Sequence, residues 1–186
     1  MSLNFSKRGY HDMWRLKQNA ARNGNLYPMH GLGPIAQIMN VNRGDRFDYL
    51  VSVQSNDFQM RAMADELAAK DPFFAPFAGK TYRGNMNTTT IRTEKGKTIM
   101  VQHDVTSTRP YSRIHTVVGT KGAAQKWPLP PRIATSHDDW LPEAEVKKLE
   151  VKYTCDLVRQ VGAMARKVGG HGGMDFLMDW RLIGQL

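Results

Sequence analysis

The sequence predicts an α+β fold class, an open and mainly antiparallel β-sheet with helices packed on one face. Three observations predict it. Apolar residues recur at helical spacing through most of residues 10–70, a stretch rich in Thr, Val and Ile occupies residues 87–127, and helical spacing returns over residues 143–186. Within the middle stretch, Glu94-Lys95-Gly96 and Gly119-Thr120-Lys121-Gly122 are hairpin-sized links, which favour antiparallel pairing. Such a sheet can pack helices on one face and leave the other free for a ligand or a partner.

Taken in order, residues 10–22 carry Met13, Leu16, Ala20 and Ala21 at roughly helical spacing, and Asn23-Gly24-Asn25 supplies a stop. After the Tyr27-Pro28 turn, Ile35, Ile38 and Met39 follow Pro34 as in a helix that starts with proline in its first turn, and this helix is expected to be largely buried. Residues 48–54 read as a short strand. Residues 57–70 read as a third helix, with Asp57 at its N-cap and Met60, Met63, Ala64 and Leu67 on one face. Residues 72–84 look like a loop. Residues 87–93, 97–106, 112–119 and 122–127 then form a meander of strands. A proline-rich connector covers 128–142, residues 143–168 support one or two amphipathic helices, and Gly169-Gly170-His171-Gly172-Gly173 breaks them before a last helix over 175–186. No internal repeat is visible.

A chain of 186 residues, 41% hydrophobic and 23% charged, can bury one sizeable core, so residues 1–186 are expected to form a single domain. Nothing in it reads as a signal peptide or as an apolar stretch of about 18 residues that would span a bilayer. Cys155 is the single cysteine, which excludes a disulfide framework within the chain and a cysteine-based metal site. The net charge of +9 raises the question of nucleic acid. The densest groups, Arg43 with Arg46, Lys95 with Lys97, and Lys147 with Lys148, are interleaved with Asp or Glu, which describes a solvated surface and no nucleic-acid partner.

Two constellations could carry chemistry. In Asn23-Gly24-Asn25-Leu26-Tyr27-Pro28-Met29-His30, polar and aromatic groups crowd a loop that leads into a helix, the kind of place where binding residues concentrate. His30 could accept a hydroxyl proton or return one, although Tyr27 and His30 read equally well as a turn tyrosine and a capping histidine. In Arg109-Pro110-Tyr111-Ser112-Arg113, tyrosine offers a face for a sugar ring and arginine offers fixed donors, unless this is a plain hairpin corner. The Gly169 to Gly173 run reads as a tight turn with a structural His171, since no Gly-Lys-Ser/Thr follows it. The six histidines are too dispersed for a metal site, and Asp104, Asp175 and Asp179 do not single out the carboxylate pair of an ordinary glycosidase. Spacing alone leaves the enzyme class open.

Longer motifs go further. Met13-Trp14-Arg15-Leu16-Lys17, residues 23–34, Asn40-Val41-Asn42-Arg43-Gly44-Asp45-Arg46-Phe47-Asp48-Tyr49-Leu50, Met86-Asn87-Thr88-Thr89, residues 96–104, 109–113 and 169–176 resemble the NAD-dependent α-N-acetylgalactosaminidases of glycoside hydrolase family 109. The resemblance covers nearly the whole chain and places it in the Gfo/Idh/MocA oxidoreductase superfamily. It implies an N-terminal Rossmann domain, absent from this chain, and a C-terminal domain whose sheet walls the active site. It implies further that NAD oxidises the sugar at C3, which acidifies the C2 proton, and that elimination, water addition and re-reduction give net hydrolysis.

By motif, the resemblance implies that Arg15, Tyr27, Pro28, Met29, His30 and Tyr111 surround the sugar, with His30 handling the C3 hydroxyl proton, Tyr27 beside it, and Asn25 approaching the nicotinamide. The group that takes the C2 proton is expected upstream, so the chain by itself is expected to be inactive. Other implications are a glycoside substrate, a homo-oligomer formed through the open sheet, and a bacterial source with export to the periplasm as one option. Two alternatives use the same residues: a domain of an NAD(P)-dependent sugar dehydrogenase, and a non-catalytic carbohydrate-binding or oligomerisation module.

Overall fold

The computed structural model describes Phe5 and residues 13–186, so the first turn of the helix expected over 10–22 lies outside the described residues. Two compact units divide the chain between Arg113 and Ile114. Both combine helices with a three-stranded antiparallel sheet, in agreement with the α+β expectation. The expected continuous meander is instead shared between two sheets, because Asp104 and the Ser107 to Pro110 segment end one strand run well before the next begins at His115.

In the first unit the order is α1 (Trp14–Ala21), α2 (Met29–Ile38), β1 (Phe47–Gln54), α3 (Met60–Lys70), a 3-10 helix (Pro72–Phe77), β2 (Met86–Thr93) and β3 (Thr98–Asp104). The sheet runs β1-β2-β3. Leu16 of α1, Met60 and Ala64 of α3, Phe74 and Phe77 of the 3-10 helix, and Tyr82 form one buried cluster. The 3-10 helix takes the first part of the loop expected over 72–84, and residues 78–84 stay without helix or strand. Phe74 and Phe77 are three residues apart, so a three-residue turn puts both into the core, and the Asp71 carboxylate accepts from the Phe73 amide at 2.9 Å to start it. At the start of α3, Asp57 accepts from the Arg61 amide at 3.2 Å, while Asn85 takes the Phe58 and Gln59 amides at 2.9 and 3.3 Å. The helix thus starts later than expected, with Gln59 and not Asp57 as its N-cap.

Alternation along β2 buries Asn87, Thr89, Ile91 and Thr93, and along β3 it buries Ile99 and Val101 and half-buries His103. These residues face one another in register, Asn87 opposite His103, Thr89 opposite Val101 and Ile91 opposite Ile99. Leu32, Ile35 and Met39, from α2 and its C-cap, cover Ile91, Ile99 and Val101. Two expectations for α2 need correction. It starts at Met29, with Pro28 as N-cap and Pro34 in its interior, and none of its residues is fully buried, because it covers only part of the sheet face. Pro34 has no N–H to offer the His30 carbonyl, so that turn holds through its neighbours.

Behind α2, Asp45 ties the turn of residues 40–46 to the β2–β3 hairpin. Its carboxylate accepts from the Arg46 and Lys95 amides at 2.9 and 3.2 Å and meets the Lys97 ammonium at 3.1 Å, while Lys97 also donates to the Met39 carbonyl at 2.6 Å. Burial alone would push this carboxyl up. The hydrogen bonds from Thr93, Lys97 and the Lys95 and Arg46 amides outweigh it and bring Asp45 down to about 2.

The second unit contains β4 (His115–Gly119), β5 (Gly122–Lys126), β6 (Arg132–Ala134), α4 (Glu143–Tyr153), α5 (Asp156–Val168) and α6 (Met174–Ile183). β6 lies inside the expected connector. It is held by pairing with β5, Ala123 opposite Ala134, and Gly122 is needed there because a Cβ would come 2.2 Å from the Ala134 carbonyl oxygen. The glycine run ends α5 and starts α6, and the His171 Nδ1 lies 2.9 Å from an Asp175 oxygen. Among the described residues no helix is long and apolar enough to cross a membrane.

Candidate functional site

α1 and the loop after it build one side of a cavity of about 350 Å³, a size typical of small-molecule sites. Trp14, Arg15, Gln18 and Asn19 from α1, Tyr27 from the loop, and His103 from β3 are among its walls. The loop is fixed at both ends: the Gly24 amide donates to Gln54 Oε1 at the end of β1 at 3.0 Å, and Asn25 Oδ1 accepts from the Tyr27 amide at 3.1 Å. Gly24 takes φ +89°, a conformation that favours glycine.

Four planar groups lie close together here. The Arg15 guanidinium lies 5.1 Å from the Trp14 ring centroid and 5.3 Å from that of Tyr27, and the Tyr27 and His30 rings are 4.7 Å apart at 33°. Contact with two aromatic rings helps hold the guanidinium in place. Beneath it, Asn19 donates to the Arg15 carbonyl at 2.7 Å and accepts from Arg83 Nε at 2.6 Å, and the Arg83 amide donates to the Asn19 carbonyl at 2.8 Å. Arg83 is buried, and its backbone approach leaves no room at Gly84, where a Cβ would come 1.8 Å from the Ser55 oxygen.

His103 sits near this guanidinium. Burial pushes the ring down to about 4, Arg83 pushes the same way, and Asp104 opposes both, so His103 is neutral around pH 7. Asp104 turns away from that row: its carboxylate accepts from the Thr106 amide at 3.0 Å, the Ser107 amide at 2.9 Å and the Ser107 hydroxyl, and pairs with Arg109 at 3.3 Å. Burial would raise it, but the Ser107 and Thr106 bonds and the Arg109 charge hold it below the usual carboxylate range. The result is a braced turn that leads into Tyr111.

The structure therefore brings Arg15 and Tyr27 into one cavity wall and puts His30 against Tyr27. Pro28 and Met29 cap and begin α2, Met29 standing 75% exposed, and Asn25 lies in the same loop. Tyr111 is not in the cavity wall; it is 68% exposed, with the Arg113 guanidinium 5.6 Å over its ring. The sequence reading missed Trp14, Gln18 and His103. Trp14 and Gln18 lie four residues apart on α1, a spacing that puts them on one face, whereas His103 is recognisable only once β3 is aligned with β2. Among the described residues the cavity wall holds arginines, neutral polar groups and apolar side chains and no carboxylate, and no three His, Cys, Asp or Glu gather as a metal site.

The profile of the family described as "Glycosyl hydrolase 109, C-terminal domain" matches residues 2–186. The chain is 46% identical over 180 residues to an "Alpha-N-acetylgalactosaminidase" of Shewanella oneidensis. Similarity of the same degree relates it to a "Glycosyl hydrolase family 109 protein" in Shewanella sp. W3-18-1 and another in Shewanella baltica OS155. These matches take in 91% of the chain and 37% of each relative, so the chain spans a little over a third of the length of the curated relatives it matches.

Proposed function

The chain belongs to the glycosyl hydrolase 109 family as its C-terminal domain, and from that membership we propose that it forms the sugar-binding wall of an α-N-acetylgalactosaminidase that works with NAD. The observation that carries the reading is the grouping of Arg15, Tyr27 and His30 beside a cavity that has no carboxylate in its wall among the described residues. An ordinary glycosidase needs an acid and a base or nucleophile, usually both carboxylates. This site offers instead the Arg15 guanidinium, the Tyr27 ring and the His30 imidazole.

NAD, when bound, supplies transient oxidation and re-reduction at the sugar's C3. The fit of this chain to the dinucleotide is limited to its reacting end. Its sequence has no glycine-rich strand-to-helix phosphate loop, and at Asn25 the carboxamide oxygen is taken by the Tyr27 amide, which leaves the NH₂ as the group that can donate. The residues here do the rest. Arg15 donates to sugar hydroxyls, Tyr27 packs against the ring, and His30 takes the C3 hydroxyl proton and later returns it. Pro28 and Met29 line the entrance, Tyr111 closes over the sugar from its braced turn, and the base at C2 belongs to a domain outside this chain.

Self-association through the sheet is part of the same reading. Tyr49, Val51 and Val53 of β1 and Met100 of β3 form an exposed apolar face.

The test uses a protein that joins this chain to its Rossmann domain, following p-nitrophenol release from the α-N-acetylgalactosaminide with and without NAD, together with absorbance of NADH. Release without NADH build-up, lost in His30→Ala, is the expected result. Steady NADH formation from free sugars without release would make the protein a sugar dehydrogenase.

A further inference from the structure

Along the helix-covered face of β3 the row reads Ile99, Val101, His103, and the first two pack beneath Leu32, Ile35 and Met39. An aliphatic side chain would continue that row without difficulty. A histidine stands there instead, half-buried in the cavity wall with Arg15 and Tyr27; its Nδ1 is shielded from the cavity and has no hydrogen-bond partner among the described residues, which leaves Nε2 as the ring nitrogen that can meet a ligand. A ring nitrogen left in that condition is costly, and such exceptions in native structures call for an explanation. We infer that His103 is a further sugar-contacting residue of this cavity, whose imidazole hydrogen-bonds a hydroxyl of the bound sugar.

The inference rests on the reading that this cavity takes a sugar, and the chemistry fits that ligand. Arg15 can only donate. The nitrogen of a neutral imidazole that meets the cavity donates or accepts according to the tautomer, and a sugar hydroxyl can answer either way. Burial and the nearby Arg83 guanidinium keep His103 neutral, so it is poorly suited to take a proton and well suited to orient one hydroxyl without adding charge. Proton transfer stays with His30. Asn87, buried directly across the strand pair, is itself tied to β1 by donating to the Ser52 hydroxyl at 2.9 Å and the Val53 carbonyl at 3.3 Å.

The test is a titration of the chain, carrying isotope-labelled histidine, with N-acetylgalactosamine while ring-nitrogen resonances are recorded by NMR. The expected result is that the His103 nitrogens shift as the sugar binds. His103→Leu should weaken sugar binding about tenfold, and His103→Gln, which keeps a donor and an acceptor, should recover most of it. A sugar that moves the His30 resonances and leaves those of His103 in place overturns this inference and leaves the site reading standing. If neither ring responds, the site reading falls and the inference falls with it.

Discussion

Asn19 Oδ1 accepts a hydrogen bond from Arg83 Nε at 2.6 Å, with both side chains buried and Asn19 part of the cavity wall. The same asparagine donates to the Arg15 carbonyl, so the floor and the candidate sugar donor are joined through one carboxamide.

Asn19→Ala leaves the Arg83 guanidinium buried without this acceptor. The expected loss of stability is about 1–3 kcal/mol, read from urea unfolding. Asn19→Asp retains an acceptor for Arg83 and should lose less; equal losses in the two variants would show that the bond to Arg83 is not what matters there.

Asp45 predicts an acid limit to folding. Its carboxyl lies at about 2 in the folded chain against an ordinary 3.8, so ionised Asp45 adds stability above the ordinary value, and that part is lost as pH falls from about 4 toward 2. Asp45→Asn should lower the melting temperature at pH 7 and flatten its dependence on pH between those limits. An unchanged acid slope in the variant would remove Asp45 from the account.

Asp104→Ala releases the turn that carries Arg109 and Tyr111. KM for the α-N-acetylgalactosaminide should rise about fivefold, equivalent to roughly 1 kcal/mol of sugar binding, with kcat little changed. Measured in a protein that carries the proposed Rossmann domain together with this chain, a fall in kcat with unchanged KM would place the effect elsewhere.

Val51→Lys puts a charge in the middle of the exposed apolar sheet face formed with Tyr49, Val53 and Met100. If copies associate through that face, sedimentation should show the assembly shifted toward monomer in the variant. The same mass distribution in both proteins would exclude this face as the interface.

Much of this architecture is legible in the residues themselves. Alternation in Met86–Thr93 and Thr98–Asp104 and helical spacing in Met60–Lys70 announce their elements, because each buries a single face with its own period. The start of α2 was not legible: Pro34 reads as a first-turn residue, and only the packing of Leu32 and Ile35 on the sheet shows the helix running through it. β6 was hidden by the prolines around it, since three residues make a strand only where β5 is already present. At the site, the loop motif drew attention to Tyr27 and His30, and the resemblance added Arg15. His103 depends on cross-strand register and on α1 arriving above it, which no local pattern encodes.

β1 has one further consequence. Phe47–Gln54 pairs with β2 along one side only, among the described residues, and is exposed along its whole length, with Asp48 its one charged side chain. Its other side offers a ladder of amides and carbonyls in a segment of high β-propensity, with neither proline nor lysine to discourage pairing with a foreign strand. For anyone producing this chain by itself, storage concentration becomes an experimental variable, and a lysine introduced near the middle of that strand is a rational way to keep preparations dispersed.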